Sequence, residues 1–396
     1  MRLTAHIAAC IALAFAGPTA VLGAPRVPAD DHEVLERLPG RAGDAGARQA
    51  AALREALARE PANLGLALRA AQVHIARGRS ESDPRQFGQA QAALSPWWSQ
   101  PEPPVAVLVL RATLRQNAHQ FASAREDLAQ AVRRDPRNAQ AWLTLATVQQ
   151  VMGDLDGARQ SCTRLEPLVA DPIAAICTAS IDGVSGRAGP ALESVEQALA
   201  RSARVDPHVR GWALSLQAEL AERMGREQEA ERLWRVALAL DPSDTYAAAG
   251  LADFLLDRNR HDEVAALIPA GTPSDPLLLR RVLAVRRQGQ AGAASETESL
   301  ASRFAASRAR GDRVHLREEA RFALEVRGDA RAARELAAEN WKNQKEAADA
   351  RIALEAALAA GEPASAGEVL AWIEAHGLEG DRIAALRARL AKARRA

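Results

Sequence analysis

Apolar residues recur along this chain with helical spacing, in short segments that come in pairs. Within 135–162, Trp142 and Leu145 share one face of a predicted helix, which Gly153 ends. Ala158 then opens the apolar face of a second predicted helix. No stretch alternates apolar and polar residues as a half-buried strand would. The pattern therefore predicts an all-α chain built from helix pairs.

Markers of these pairs recur at a nearly constant interval. The second helices are marked by Ala124, Ala158, Ala191 and Ala230, and the turns inside the pairs by Gly153, Gly186 and Gly225. In both series the interval is nearly constant until the last member, which comes a few positions late. Because both markers shift together, they indicate one repeated unit with extra residues in the connection at 200–207. Asp-Pro pairs near the repeat ends, such as 206–207, predict helix starts.

The stretch 135–162 resembles the tetratricopeptide repeat, whose pattern is Trp-x2-Leu-Gly-x2-Tyr, then Ala-x3-Phe, then Pro, about every 34 residues. It departs from that pattern because Ala146 replaces Gly, Gln149 replaces Tyr and Cys162 replaces Phe. The resemblance is close over 105–267 and weaker over 45–95 and 277–376. It implies an α-α superhelix, a tetratricopeptide-like solenoid of stacked antiparallel helix pairs.

Prolines interrupt the repeats and suggest boundaries. The predicted segments are a signal peptide at 1–23, an extended leader at 24–44, N-terminal helical repeats with a Pro/Trp-rich connector at 45–104, the main repeat array at 105–270, and degenerate repeats with a C-terminal capping helix at 271–396. The prolines of 96–104 are predicted to forbid a helix there. Trp97 and Trp98 either form an exposed aromatic clamp or, as we favour, seal a gap between repeats.

The segment 1–23 has the features of a secretory signal. Arg2 supplies a positive start, an apolar run follows at 5–16, and Pro18 ends it. Cleavage after Gly23 is favoured over cleavage after Ala24, because Pro25 would follow the latter cut. The run is too short to span a bilayer, so a retained anchor is the less favoured alternative. We expect a periplasmic or secreted protein without stable membrane insertion once the signal is cleaved.

Charge and composition exclude some partners. The chain carries 51 Lys and Arg against 50 Asp and Glu, and aromatic residues make up only 4%. A neutral chain has no overall field that would draw it to nucleic acid or to anionic lipid. The few large side chains suit many shallow contacts between helices. The expected partner is a protein or peptide, and the oligomeric state stays open.

Two cysteines remain after the predicted cleavage. Cys162 and Cys177 lie close together in the sequence, on adjacent predicted helices. An even number of cysteines in an exported protein favours a disulfide. The alternative is that both are small core residues that face different ways.

No catalytic, metal or cofactor motif is present in the sequence. None of the eight histidines has metal-ligand spacing with another, and there is no Cys-x-x-Cys pair. Neither a P-loop nor a Gly-x-Ser-x-Gly elbow occurs. The chain is therefore expected not to be an enzyme, although a composite site built from distant repeats remains the alternative.

In the family it resembles, positions 2, 5, 9, 12 and 13 of each first helix line the concave groove. Carried onto this chain, they give Val109, Thr113, Gln116, Asn117, Leu143, Thr147, Gln150, Val151, Ile173, Ile176, Ser180, Ser215, Glu219, Glu222 and Arg223. This face begins apolar, with small hydroxyl and amide groups, and becomes acidic toward Glu219 and Glu222. It suits a peptide with apolar anchors followed by a basic residue. The alternative is a merely solvated surface.

One variant of such grooves binds acidic C-terminal peptides through Lys at position 5 and Asn at position 9. Those positions here hold pairs such as Val109 and Thr113, so that mode is not predicted. Two functions remain. The first is a scaffold of the cell envelope that binds a partner in its groove. The second is a rigid spacer or accessory subunit of an envelope complex that binds through an edge or a convex patch.

Overall fold

A computed structural model describes Asp30 and residues 44–290 and 292–395. These residues contain α-helices and no strand, as the sequence predicts. The predicted signal peptide and nearly all of the predicted leader lie outside the described residues. None of the helices in the described part is long and apolar enough to cross a membrane.

The helices of the described residues are short, and most have 10 to 17 residues. In chain order they are α1 Ala45–Arg59, α2 Leu64–Ser80, α3 Pro84–Ala93, α4 Ser95–Trp98, α5 Val105–Asn117, α6 Phe121–Arg134, α7 Ala139–Val151, α8 Leu155–Leu165, α9 Asp171–Gly183, α10 Ala188–Arg201, α11 Pro207–Arg223, α12 Glu227–Leu240, α13 Thr245–Asp257, α14 His261–Leu267, α15 Asp275–Arg287, α16 Ala293–Ala309, α17 Leu316–Phe322, α18 Ala330–Trp341, α19 Ala347–Ala359, α20 Gly367–His376 and α21 Asp381–Ala393. A π-helical turn, Ala323–Arg327, extends α17, and 3₁₀ turns lie at Glu166–Leu168 and Pro363–Ala366.

The helices pack as consecutive pairs, which makes the structure a solenoid. The pairs run from α2 with α3, then α5 with α6, to α19 with α20. The first helices of successive pairs also contact one another from α5 to α19, and α21 extends this inner layer. This is the all-α, tetratricopeptide-like architecture that the sequence predicts.

Some of the helices start with a side-chain cap, but the predicted Asp-Pro pair does not always supply it. Asp206 does cap α11, since its carboxylate accepts the N–H of His208. Asp135 instead follows the end of α6, and Asn138 caps α7 by accepting the N–H of Ala141. In the same way Asp241 follows the end of α12, and Asp244 caps α13. At these two sites the Asp-Pro pair marks the end of a helix rather than the next start.

The turns inside the pairs need a left-handed residue. Gly153, Gly186 and Gly225 have φ of +80°, +71° and +70°. Glycine adopts this conformation without a steric penalty from a β-carbon. In the α5–α6 turn the corresponding residue is His119, with φ +54°. This substitution bears on the site described below.

The core is a series of hydrophobic clusters, of which a large one joins the middle and the last repeats. Alanines fill many helix contacts, and backbones approach closely. A β-carbon on Gly250, for example, would lie 2.4 Å from the Trp234 ring. Packing continues across residue 270, because Leu277 and Ala284 belong to the cluster that contains Trp234.

The prediction that prolines prevent a helix in the 96–104 connector is wrong at its first residues. Ser95–Trp98 forms the single turn α4, with Pro96 at the start, where its missing N–H would have no helical partner. Trp97 and Trp98 are half-buried against the cluster of the N-terminal repeats. Arg111 ties the connector to α5, because its guanidinium donates to the carbonyls of Trp98 and Gln100.

Cys162 and Cys177 form a disulfide between α8 and α9. Their sulfur atoms are 2.00 Å apart and their Cα atoms 5.7 Å apart. Both residues are buried in one hydrophobic cluster. That cluster also contains Trp341, Ile352 and other residues of the C-terminal helices. The middle and the last repeats are therefore packed together.

Candidate binding groove

The predicted groove residues fall into three groups in the structure. The first group is buried between helices: Val109, Ile176 and Ser215 are only 6%, 0% and 3% exposed. The sequence predicts that these three face a partner, and the structure corrects that expectation. Each first helix of a pair packs on the first helices before and after it, and these side chains lie in those contacts.

The second group is half-buried, and its polar groups are satisfied by the repeats themselves. Thr113 and Thr147 donate to the carbonyls of Val109 and Leu143, at 2.9 and 3.1 Å. The Asn117 amide donates to the carbonyl of Thr113 at 2.8 Å. These bonds leave oxygen lone pairs on the inner face, which can still accept.

Leu143 and Ile173 pack against the large cluster of the middle and last repeats. Gln150 and Ser180 bind each other across α7 and α9: the serine hydroxyl donates to the amide oxygen, and the amide donates to the serine carbonyl, both at 3.2 Å. This part of the inner face is therefore a connected wall.

The third group is the acidic end of the face. Glu219 accepts from Arg223 at 3.1 Å and from the hydroxyl of Tyr246. The carboxylate of Glu222, in contrast, has no hydrogen bond or ion pair with the described residues. Burial raises the pKa of Glu222 to about 7, and the charges of Asp257 and Asp253 add to that rise against the opposing effect of Arg258.

Sequence reasoning missed the opposite wall of the groove, which the C-terminal helices supply. Arg321 and Arg280 both donate to Asp253 of α13 at 2.5 Å. Arg351 makes two bonds to Asp257, at 2.6 and 2.7 Å. Burial would raise the pKa of Asp253, but the two guanidinium groups bring it below its ordinary value. Ion pairs thus join α13 to α15, α17 and α19 across the interior.

A signal for this wall is present in the sequence. Arg317, Arg321 and Glu325 follow one another at intervals of four, which places them on one helix face. The inward positions of the family pattern can be assigned only on the clearest repeats, so they do not include the arginines of the weaker repeats.

A cavity of about 350 Å³ remains between the two walls. It lies where the α5–α6 turn and the end of α7 meet the starts of α15, α17 and α19. Its lining residues are Gln116, Asn117, His119, Phe121, Val151, Pro276, Val314, His315, Arg317, Glu318, Gln344 and Glu346. A second cavity of about 50 Å³ also contacts Arg317 and Glu318. We call the larger one the inner cavity.

Carboxylates outnumber cations around Arg317. Its guanidinium lies 3.0 Å from Glu346, 3.3 Å from Glu318 and 3.4 Å from Asp349. Burial raises the pKa of Glu346 and of Asp349, and the neighbouring carboxylates, including Glu219, reinforce the effect on Glu346. The charge of Glu219, at the acidic end of the groove, therefore acts on Glu346 in the inner cavity.

The repeat pattern of this region has a known counterpart. Residues 117–176 match the tetratricopeptide repeat family. The match begins at the end of α5 and extends into α9. A search of curated proteins finds no match to the chain.

Solved structures with similar repeats come from several organisms. A tetratricopeptide repeat protein of Thermus thermophilus is 23% identical, with 48% of this chain and 97% of that chain covered and a TM-score of 0.38. One from Parabacteroides merdae is 15% identical, with 60% and 91% covered and a TM-score of 0.38. The human IFIT1 dimer is 12% identical, with 81% and 93% covered and a TM-score of 0.42.

Within the tetratricopeptide match, His119 differs from the equivalent turn residues because it is not a glycine. Its ring lies 5.2 Å from the ring of Phe121, and its Nδ1 is buried without a hydrogen-bond partner. Burial lowers the pKa of His119 to about 4. The imidazole is therefore neutral at physiological pH.

The described residues bring together no group of three or more His, Cys, Asp and Glu side chains that could hold a metal ion. Many of the side chains that line this tetratricopeptide-like interior are polar or charged. The side-chain oxygens of Thr113, Thr147 and Asn117 and the Glu222 carboxylate can still accept hydrogen bonds from a ligand rich in donors.

Proposed function

We propose that this chain is a non-enzymatic scaffold of the cell envelope, which binds a partner protein or peptide in its inner groove. The partner segment carries a basic residue that pairs with the acidic end of the groove. The observation that carries the proposal is the Glu222 carboxylate, which lies inside the solenoid near Arg258 and Arg223 but forms no hydrogen bond or ion pair with the described residues. A basic side chain placed there would restore the charge balance that the chain itself does not supply.

Several features support a scaffold over an enzyme. The tetratricopeptide match and the solenoid are typical of protein–protein interaction, and the sequence lacks a recognisable catalytic motif. The near-equal count of 51 basic and 50 acidic residues argues against a nucleic-acid partner. The predicted signal peptide supports export, and a disulfide between Cys162 and Cys177 suits an oxidising compartment.

The test is capture of the partner in cells. The chain is expressed with its own leader and a C-terminal tag, crosslinked, and recovered from the envelope fraction. We expect Glu222→Gln to lose the captured partner. The matched control is Glu193→Gln, which alters an exposed glutamate on the outer helix α10 and should keep the partner. A partner retained by Glu222→Gln would contradict groove binding, and recovery from the cytosol would contradict the envelope assignment.

One observation favours a second function, a rigid accessory subunit that binds through its outside. Val236 and Leu240 share one face of the outer helix α12, and each is 41% exposed. The ion pairs across the interior also make the array stiff. This alternative predicts that Val236→Asp with Leu240→Asp abolishes capture, whereas Glu222→Gln has no effect.

A further inference from the structure

We propose that the inner cavity receives a lysine or arginine side chain of the partner, and that His119 and Glu346 contact it. This inference rests on the proposed function and names the pocket through which the groove would select its partner.

The charge of the inner cavity is incompletely balanced. Of the charged side chains that line the cavity, Arg317 lies beside Glu318 and Glu346. The third carboxylate near Arg317, that of Asp349, does not line the cavity and accepts from the Asn340 amide and the Glu346 N–H. Arg280 lies near Glu318 but is bound to Asp253. One guanidinium between the two carboxylates that line the cavity leaves room for a second cation, and a cavity of about 350 Å³ can hold a long basic side chain.

The hydrogen-bonding groups of the cavity point to the same class of ligand. Asn117 uses its amide N–H on the Thr113 carbonyl, so its oxygen remains an acceptor. A neutral imidazole always keeps one nitrogen as an acceptor. Together with the Glu346 carboxylate these groups suit a ligand that only donates, as ammonium and guanidinium groups do.

The backbone at His119 adopts a left-handed conformation that its side chain disfavours. The three following repeats have Gly153, Gly186 and Gly225 at this turn position, and glycine avoids the steric penalty of the left-handed conformation. Ser82 and Asn259 also have positive φ in their turns, yet neither lines the cavity. Strained residues that face a cavity are often functional.

His119 could instead serve packing, since its ring contacts Phe121. The two roles predict opposite results for His119→Gly. If the imidazole binds a ligand, glycine removes the binding group and relieves the backbone, so the melting temperature stays equal or rises while binding falls. If the imidazole is structural, the melting temperature falls and binding of a cation is unchanged.

The experiment uses the full mature chain and defined probes. N-acetyl-lysine amide and N-acetyl-arginine amide are titrated against it by calorimetry, and N-acetyl-norleucine amide is the neutral probe of similar shape. We expect millimolar binding of at least one cationic probe, at least fivefold weaker binding of the norleucine probe, and at least fivefold weaker cation binding to His119→Gly. Asn259→Gly is the matched control, because it relieves the same backbone conformation in another turn and should bind as wild type.

Three results would overturn the inference: no binding of either cation, equal binding of the norleucine probe, or unchanged binding to His119→Gly. Should His119→Gly fail to fold, Glu346→Gln replaces it, since the amide keeps the shape and removes the charge. The outcome is separable from that of the scaffold proposal. Capture that depends on Glu222 but not on His119 would reject only the cavity, and cation binding without any captured partner would reject only the scaffold.

Discussion

The backbone N–H of Lys345 donates to the carbonyl of Val151 at 2.8 Å, which joins the α18–α19 connection to the end of α7. The next repeat makes a similar contact, because the N–H of Ala188 donates to the carboxylate of Glu379 at 3.3 Å. The last repeats thus lie on the turns of the middle repeats. This closure brings the arginines of the C-terminal helices into the groove and shapes the inner cavity.

The closure depends on a turn without a side chain. A β-carbon on Gly186 would lie 3.0 Å from the carbonyl oxygen of Gly377, a backbone atom that cannot move aside cheaply. We therefore expect Gly186→Ala to destabilise the chain by roughly 2–4 kcal/mol, as the sum of left-handed strain and overpacking. Urea unfolding followed by circular dichroism measures the loss.

The control for this change is Gly361→Ala. Gly361 has φ +69° against +71° for Gly186, but no atom lies within 4 Å of the position that its β-carbon would take. Gly361→Ala should therefore destabilise the chain only by the strain of the left-handed conformation, about 1–2 kcal/mol. Equal losses in the two variants would mean that the closure contributes no stability.

A buried ion pair stabilises the first repeat of the main array. Arg111 of α5 makes two bonds to Asp127 of α6, at 2.9 and 2.7 Å, and the two side chains are 7% and 5% exposed. Asp127 also accepts from Arg115 at 2.7 Å, so Asp127→Ala leaves the guanidinium groups of Arg111 and Arg115 without their carboxylate, and we expect a loss of about 3–5 kcal/mol. Thermal unfolding monitored by circular dichroism measures this loss of stability.

The surface pair of Arg331 and Glu335 provides the comparison. Their side chains are 84% and 54% exposed, so Glu335→Ala should change the stability by less than about 1 kcal/mol. Similar effects of Asp127→Ala and Glu335→Ala would show that burial does not govern the strength of these pairs.

Local features of the fold could be predicted because each repeat has its own helical period, and most of the clear repeats also have a turn glycine. The turns predicted at Gly153, Gly186 and Gly225 do lie between paired helices. The α4 turn is not predicted because proline breaks a helix interior, whereas at the first position of a helix it is tolerated. The Asp-Pro pairs at 135–136 and 241–242 do not start helices. The residues that cap the next helices, Asn138 and Asp244, lie further along the chain.

The site was only partly predictable. Glu219 and Glu222 lie at the acidic end of the groove, but the closure that places Glu346 near Glu219 is a contact between distant repeats. A repeat pattern describes neighbours, and it carries no information about which turns of a superhelix meet. Val109 and Ile176 are misassigned because the pattern gives a direction on a helix and not the depth of burial.

Glu222 gives the groove a pH dependence that stability measurements can detect. Its pKa is about 7 in the folded chain against an ordinary 4.5, so the folded state holds the proton more tightly than the unfolded state. Stability from this residue is therefore present below pH 4.5 and is lost as the pH rises through 7. Glu222→Gln should raise the melting temperature at pH 8 by a few degrees and leave it nearly unchanged at pH 4. Glu193→Gln is the control, and an equal shift at both pH values would contradict the assignment.

The disulfide between Cys162 and Cys177 should stabilise the middle of the array. Its cysteines are separated by 15 residues in the sequence, and for a loop of that size the chain-entropy model gives about 3 kcal/mol. Reduction should therefore increase hydrogen exchange in α8 and α9 more than in α13, because unfolding of a solenoid can be local. The variant with both Cys162→Ala and Cys177→Ala should show this faster exchange without reductant and should not respond to it. If reduction of the wild type leaves exchange in α8 and α9 unchanged, the buried packing of these helices, and not the covalent bond, maintains their pairing.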